Sequence, residues 1–214
     1  MPVERMVATP RGDARLVVRR AKRPIAGLVL THGAGGGIDA PDLVRLARTL
    51  PQRDVSVTLV EMPWRVAGKR LAPPPAAIDE CYTAVMDGMR ARVPLVLGGR
   101  SAGARSACRL ARGVGASAVL ALSFPLHPPG RPERSRLPEL LGARVRSLVV
   151  QGERDPFGTP AEFPEDVDLV VVPDGDYGLK VRRSAPLTQA EALDLVLERT
   201  FEWIVRDVVG NRSR

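Results

Sequence analysis

The sequence predicts an α/β protein in which a mostly parallel, twisted sheet is flanked by helices. Short apolar runs alternate along the chain with amphipathic stretches, which is the order of strands and helices in such a protein. Most of these runs are continuous Val and Leu segments, as expected for strands that are covered on both faces. No repeat or long linker divides the 214 residues, so we expect a single domain over residues 1–214.

Seven short apolar runs are the predicted strands: Arg15–Arg19, Gly27–Thr31, Ser56–Val60, Leu95–Gly98, Ala118–Ser123, Arg146–Gln151 and Leu169–Val172. Between the fifth and the sixth of them lies a proline-rich loop without helical or strand periodicity. Loops of that length often carry function, so residues 124–140 are predicted to form a short flap over a site.

Helices are predicted between the strands, where apolar residues recur at spacings of three and four. Such patterns run through residues 43–50 and 78–89. Residues 102–112 are small and rich in alanine, which suits a helix packed closely against a sheet. The last helix opens with Thr188 and Glu191, a capping box in which each side chain satisfies the other residue's free backbone N–H.

The charge balance is basic, with 32 Lys and Arg against 24 Asp and Glu, a formal net charge of +8. A basic balance can indicate a nucleic acid or another anionic partner. Here the arginines are scattered, and the few aromatic residues are not enough to form a surface on which bases would stack. We therefore expect a small-molecule ligand or substrate and no nucleic acid, and the sequence leaves the oligomeric state open.

Three features indicate a cytoplasmic protein. Cys81 and Cys108 lie in apolar helical patterns, which favours buried free thiols and a reducing compartment. The first 24 residues contain no uninterrupted apolar segment of the secretory type. No apolar run approaches the roughly 18 residues of a membrane span, so we expect no membrane partner.

The sharpest motif follows the predicted strand at 95–98. Gly99, Ser101 and Gly103 form the pattern G-x-S-x-G between that strand and the alanine-rich helix. This is the spacing of a nucleophile elbow, in which a strained turn exposes the serine and larger residues two positions away would collide with neighbouring backbone. We interpret Ser101 as a candidate nucleophile; the alternative is a tight turn whose serine only caps the helix.

A glycine-rich loop begins with His32, Gly33 and Ala34, directly after the predicted strand at 27–31. A strand ending in His-Gly-x is typical of an oxyanion loop, in which the backbone N–H groups of Ala34 and Ala102 would bind a tetrahedral oxyanion. His32 would hold this loop. His32 and Arg100 are also the substrate-binding candidates, because Arg100 precedes the nucleophile and could meet an acidic substrate.

The same loop has a competing interpretation as a dinucleotide fingerprint. Gly35-x-Gly37-x-x-Ala40 lies between a strand and a helix, and Glu61 ends the next strand near the expected interval. Against this, Pro41 opens the helix and Asp39 would face the pyrophosphate. Dinucleotide binding is kept as a distant alternative, and we expect no cofactor and no metal.

An acidic candidate follows the predicted strand at 146–151, in the segment Gly152-x-x-Asp155-Pro156. In chain order it comes after the serine, as the acid of a Ser-acid-His triad does on such sheets. Asp155 is therefore the candidate that would orient a base; the alternative is a turn-forming aspartate before proline.

The base that would complete such a triad is missing from its expected place. The loop after the last predicted strand contains no histidine, and His32 and His127 both precede Asp155. A neutral imidazole can take a serine proton near pH 7, whereas a tyrosine phenol with a pKa near about 10 is already protonated. His127, on the predicted flap, is retained as a substitute base.

The chain resembles small bacterial α/β-hydrolase proteins of the dienelactone-hydrolase-like branch over its whole length. The matching stretches are THGAGGG, EMPWRVAGKR, GGRSAGAR, FPLHPPGRPERS and VVQGERDPFGTP. This resemblance implies the α/β-hydrolase fold, with Ser101 as nucleophile, Asp155 as acid, and Ala34 and Ala102 as oxyanion donors. The family generally ends its site with a Gly-x-Asp-His-Ser-like segment, and here Tyr177 stands where the histidine would fall.

Two functions follow from these expectations. The first is a serine hydrolase acting on an ester- or lactone-like small molecule, with weak or altered activity because the histidine is missing. The second is a catalytically inactive protein of the same fold that binds a ligand or acts as a scaffold. In both, Tyr177 should lie beside Ser101 and Asp155 without acting as the base.

Overall fold

One eight-stranded sheet organises the computed structural model, which describes residues 2–89 and 92–210. The strand order is β1-β2-β4-β3-β5-β6-β7-β8, and all neighbours from β4 to β8 in that order run parallel. The strands are β1 Val3–Thr9, β2 Gly12–Arg19, β3 Ala26–Thr31, β4 Val55–Glu61, β5 Leu95–Arg100, β6 Ala118–Leu122, β7 Arg146–Gly152 and β8 Asp168–Val172. The predicted architecture of a mostly parallel sheet is therefore confirmed.

Strand β1 is a strand that the sequence patterns did not predict, and the short helices at Pro63–Val66 and Leu137–Leu141 were not predicted either. Strand β1 pairs antiparallel with β2, and β2 in turn pairs antiparallel with β4. Most of β1 is exposed, including Val3 and Met6, so it has neither the continuous apolar run nor the clean alternation that reveals a strand. The other seven strands coincide with the seven predicted runs to within a few residues at each end.

Helices cover both faces of the sheet and bury a core on each. The helices are α1 Pro41–Thr49, α2 Pro63–Val66, α3 Pro75–Asp87, α4 Ala102–Leu110, α5 Leu137–Leu141 and α6 Gln189–Trp203. Apolar side chains of α3 and α4 form the core on one face, and those of α1 and α6 form the core on the other. Burial on both faces explains why the central strands are continuous apolar runs.

Two local predictions are confirmed. The Thr188 side chain accepts a hydrogen bond from the backbone N–H of Glu191, whose carboxylate accepts one from the N–H of Thr188, so the capping box starts α6. Cys81 and Cys108 are buried free thiols. Within residues 2–89 and 92–210, no helix is long and apolar enough to cross a bilayer.

Residues 124–140, the predicted flap, are packed onto the body of the protein. Phe124 and Leu126 are buried in the core beneath the loop. Arg136 closes the segment on itself, because its backbone N–H donates to the carbonyl of Leu126 at 2.6 Å and its guanidinium donates to the carbonyl of Pro125 at 3.0 Å. The segment thus ends in α5 after a short helical turn at Pro132–Arg134.

Candidate active site

Ser101 lies in a sharp turn between the end of β5 and the start of α4. Its backbone has φ 55° and ψ −113°, a left-handed conformation that is costly for a residue with a side chain. The backbone N–H of Ser101 donates to the carbonyl of Leu122 at 3.0 Å, which ties the turn to the neighbouring strand β6. This is the strained strand-to-helix turn that the G-x-S-x-G pattern predicts.

The two glycines of the motif are required because the turn is tightly enclosed by backbone. A Cβ atom added to Gly99 would lie 2.7 Å from the carbonyl oxygen of Thr31. One added to Gly103 would lie 2.8 Å from the carbonyl oxygen of His32. Both distances are far below van der Waals contact, so only glycine lets α4 approach the end of β3.

Replacing either glycine by alanine is expected to destabilise the protein by roughly 1–3 kcal/mol, because backbone on both sides must move apart. Gly35→Ala is the matched control, since a Cβ at Gly35 meets nothing within 4 Å. Urea unfolding of Gly99→Ala, Gly103→Ala and Gly35→Ala measures the difference. Equal free energies of unfolding for the three variants would contradict the packing argument.

The loop after β3 brings a second backbone segment up to Ser101. A Cβ at Gly33 would lie 3.1 Å from the Cβ of Ser101, so the loop passes directly beside the serine. The next residue, Ala34, has a backbone N–H without a hydrogen-bond acceptor among the described residues, and the same holds for Ala102. Both N–H groups are therefore free to donate, as the predicted oxyanion hole requires.

His32 holds this loop in place and has no polar atom left for a substrate. It is 1% exposed; its Nδ1 is 2.8 Å from the carbonyl oxygen of Gly33, and its Nε2 accepts a hydrogen bond from the N–H of Met62 at 3.0 Å. Burial lowers the pKa of the imidazole, which keeps it neutral. This geometry favours the interpretation of His32 as a loop-holding residue over the prediction that it binds substrate.

Tyr177 reaches Ser101 directly. The loop after β8 returns to the elbow, where the phenol of Tyr177 is hydrogen-bonded to the Oγ of Ser101. The Tyr177 ring stacks on Phe157 with a centroid distance of 4.1 Å. Burial raises the pKa of the phenol above its ordinary value. Tyr177 therefore occupies the expected base position in its protonated form, which cannot accept a proton.

Arg100 holds the loop that carries Tyr177 through the backbone of that loop. Its guanidinium donates to the carboxylate of Asp42 at 3.0 Å and to the backbone carbonyl of Tyr177 at 2.6 Å. The side chain is only 13% exposed, and that of Asp42 is 1% exposed. Because the guanidinium donates to these two internal acceptors, the geometry favours a positioning role for Arg100 over the predicted contact with substrate.

Asp155 is buried at the end of β7, close to Tyr177 but not hydrogen-bonded to it. One carboxylate oxygen accepts from the backbone N–H of Phe157 and the other from the amide of Gln151, both at 2.8 Å. Burial raises the pKa of Asp155 to about 6, even though Arg100 lowers it. The charge of Asp155 in turn contributes to raising the pKa of Tyr177.

His127 is locked into another part of the structure. Its Nδ1 lies 2.9 Å from the carbonyl oxygen of Pro128 and its Nε2 lies 2.7 Å from the carboxylate of Glu162. The Pro128 carbonyl and then Glu162 raise the pKa of His127. Acceptors at both nitrogens favour the protonated imidazolium, which has no free lone pair. This geometry argues against the prediction that His127 substitutes for the missing base.

The dinucleotide interpretation loses its support at Glu61. The carboxylate that would bind a ribose instead forms an ion pair with Arg15 at 2.8 Å. The loop from Gly35 leads into α1, where the buried carboxylate of Asp42 faces Arg100. An acidic group so close to the helix start is unfavourable for a pyrophosphate.

A mostly parallel sheet with a strained serine turn after β5, beside the free backbone N–H groups of Ala34 and Ala102, is typical of the α/β-hydrolase fold. A family model described as an α/β hydrolase domain matches residues 24–205, and the chain belongs to this family. The site also depends on residues that sequence patterns did not single out, namely Asp42, Gln151 and Phe157. Glu162, which holds His127 away from the site, had a local signal in the capping-box spacing after Thr159.

Solved structures with the same fold include several bacterial hydrolases. An α/β serine hydrolase without a lid from Xanthomonas campestris is 16% identical, with 94% of each chain covered and a TM-score of 0.72. An α/β serine hydrolase homologue from Coxiella burnetii is 14% identical, with 92% of this chain and 96% of that one covered and a TM-score of 0.72.

Dienelactone hydrolase from Anabaena variabilis is 16% identical, with 97% of this chain and 99% of that one covered and a TM-score of 0.71. These similarities demonstrate a common fold. Comparison with curated proteins finds no significant match.

Proposed function

We propose that this chain is a slow serine hydrolase that acts on an ester- or lactone-like small molecule through Ser101. The observation that carries the proposal is the left-handed backbone of Ser101, φ 55°, at the carboxyl edge of the sheet. A strained residue of this kind costs roughly 1–3 kcal/mol and persists where the surrounding structure enforces it, typically at functional sites. A serine that only capped a helix would need no such conformation.

The proposed reaction begins with attack of the Ser101 Oγ on the carbonyl carbon of the bound ester. The carbonyl oxygen becomes an oxyanion, which the N–H groups of Ala34 and Ala102 stabilise. Collapse of the tetrahedral intermediate releases the alcohol, or opens the ring of a lactone, and leaves an acyl group on Ser101. Water then hydrolyses that ester, releasing the acid and restoring the serine.

The weak step is removal of the Ser101 proton. The group beside the hydroxyl is the phenol of Tyr177, whose pKa is raised, so at neutral pH it is fully protonated. We do not expect His127 to replace it, because both of its nitrogens face acceptors. The proton therefore passes to solvent, and the reaction lacks the roughly 10²–10⁴-fold contribution of a general base.

The substrate class is supported by the fold and by one named relative. Dienelactone hydrolase from Anabaena variabilis has the same fold over nearly the whole chain, which makes a lactone a reasonable first substrate to test. We propose a small ester or lactone on this basis.

A second candidate function is ligand binding without turnover. The observation that favours it is the hydrogen bond between Tyr177 and Ser101, which leaves the serine hydroxyl engaged with a group that cannot deprotonate it. In this alternative the N–H groups of Ala34 and Ala102 would bind a carbonyl-containing ligand without transfer of its acyl group.

Labelling with a fluorophosphonate probe distinguishes the two candidates. We expect slow but specific labelling of Ser101, complete over hours rather than minutes, because the nucleophile is presented without a base. Ser101→Ala should lose both the label and any hydrolysis of p-nitrophenyl acetate above the buffer rate. Absence of labelling in the parent, together with binding of small esters and no turnover, would favour the binding protein instead.

A further inference from the structure

A cavity of about 610 Å³ lies at the edge of the sheet opposite Ser101. Gly27 and Leu95, which line it, stand at the beginnings of β3 and β5, whereas Ser101 follows the end of β5. The cavity is thus separated from the candidate active site by the length of the central strands. Its volume falls within the range of about 300–1,000 Å³ that is typical of small-molecule sites.

The floor of the cavity is a row of side chains that crosses four strands. Val3 pairs with Val18, Val18 with Thr58, and Thr58 with Val29. Directly opposed residues point to the same face of a sheet, so this row presents a mostly apolar surface. Its one polar member is Thr58, which is 6% exposed and whose hydroxyl makes no hydrogen bond to a described residue.

The space above this floor exists because a glycine stands in the neighbouring row. Gly27 pairs with Leu95, and a Cβ added to Gly27 would make only ordinary contact, 3.6 Å, with the Leu95 side chain. Helix α3 ends at Asp87, before it would cover this corner of the sheet. The cavity is therefore a gap in the packing with apolar walls, which a ligand or a larger side chain could fill.

Three arginines surround the cavity: Arg5, Arg20 and Arg92. None of them forms an ion pair with a carboxylate in residues 2–89 or 92–210. Elsewhere in the protein arginines commonly have such partners, as Arg53 has Glu198 and Arg105 has Glu139. None of the described residues that line the cavity is acidic, so no carboxylate among them balances the charge of the three arginines.

We propose that this cavity binds an amphipathic carboxylate, with the apolar body on Val18, Val29 and Leu95 and the carboxylate among the arginines. The apolar floor would contact the hydrophobic part of such a ligand, and burial of that part of the ligand contributes favourable free energy of binding. The guanidinium groups would bind the carboxylate of the ligand, because a carboxylate accepts paired hydrogen bonds from arginine. The Thr58 hydroxyl offers one further polar contact at the floor.

The test measures binding of octanoate and of octanamide by isothermal titration calorimetry. Octanamide has the same chain length but no charge, so we expect octanoate to bind at least about tenfold more tightly. The double variant Arg5→Gln, Arg20→Gln should weaken octanoate binding by about tenfold. The matched control is Arg112→Gln, Arg183→Gln, which removes two exposed arginines outside the cavity lining and should leave binding unchanged.

A second variant tests the location independently of charge. Gly27→Val should fold, because β-branched residues suit a strand and the cavity has room for the added methyl groups, and it should abolish octanoate binding. Parent protein labelled at Ser101 should bind octanoate as unlabelled protein does, which separates this site from the proposed hydrolase site.

Equal affinity for octanoate and octanamide would overturn the proposal, as would no binding of octanoate at 1 mM or equal binding by the Arg5, Arg20 variant and its control. Sedimentation that shows a dimer of the parent and a monomer of Gly27→Val would also overturn it, since the cavity would then be an interface between copies of the chain.

Discussion

Replacing Tyr177 by histidine is expected to raise the rate of p-nitrophenyl acetate hydrolysis by about 10²–10⁴-fold at neutral pH. The Tyr177 side chain contacts the Oγ of Ser101, so a side chain at position 177 faces the serine. An imidazole is shorter than a phenol, and we expect the histidine ring and the Ser101 hydroxyl to turn toward each other for the proton transfer. A neutral imidazole has a basic lone pair at pH 7, whereas the oxygen of a protonated phenol is far too weak a base to take the serine proton. The ionised carboxylate of Asp155 would then stabilise the imidazolium that forms.

The loop carrying residue 177 is held close enough for this exchange. A Cβ on Gly152 would lie 2.5 Å from the carbonyl oxygen of Gly175, so the loop after β8 is pressed against the end of β7. The position of residue 177 is thus set by backbone packing, and a histidine inherits it.

Two variants control for this gain of activity. Tyr177→Phe removes the hydroxyl without adding a base and should gain little, while Ser101→Ala combined with Tyr177→His should return the rate to the buffer level. The interpretation would be wrong if the parent already hydrolysed the ester at ordinary enzyme rates and lost that activity in His127→Ala. No gain in Tyr177→His would instead strengthen the case for a binding protein.

The second large effect is a pH dependence of stability that originates at Asp155. Its pKa is raised to about 6 by burial, whereas an unfolded aspartate titrates near about 3.9. Between these values the folded state binds the proton more tightly, so the stability contributed by this group is present at low pH and is lost as pH rises through about 6. From pH 4.5 to 7.5 the loss amounts to roughly 2 kcal/mol.

Asp155→Asn isolates this contribution, because asparagine does not titrate. The free energy of unfolding of the parent, relative to that of the variant, should fall by roughly 2 kcal/mol between pH 4.5 and pH 7.5. Taking the difference cancels other groups such as Asp174, whose lowered pKa acts in the opposite direction. Urea unfolding at the two pH values provides the measurement; a constant or rising difference would refute the assignment.

Much of the fold could be predicted because its signals are local. Continuous apolar runs indicated seven strands, and the capping box at Thr188 indicated where α6 begins. Strand β1 was not predicted because it is an exposed edge strand. Its pairing with β2, rather than an apolar pattern of its own, makes it a strand. Pairing of that kind is a property of two segments, and a periodicity search examines one segment at a time.

The candidate site could be predicted in part, for the same reason. The elbow at Ser101 has a local motif, and the order of elements indicated that Tyr177 would reach it. The roles of Arg100 and His127 could not be read from sequence, because their partners Asp42 and Glu162 are distant in the chain. Only the folded structure shows that these two side chains contact internal acceptors.

The contact between Arg100 and residue 177 bears on how this site could change over generations. Arg100 grips the carbonyl oxygen of Tyr177, an atom that every amino acid has, and its other contact is to Asp42. This hydrogen bond therefore does not depend on which side chain stands at position 177. Tyrosine and histidine codons differ by a single base, so one mutation could remove or restore the general base while the scaffold is left undisturbed. In such a lineage the general base could be lost or regained while the fold stayed the same.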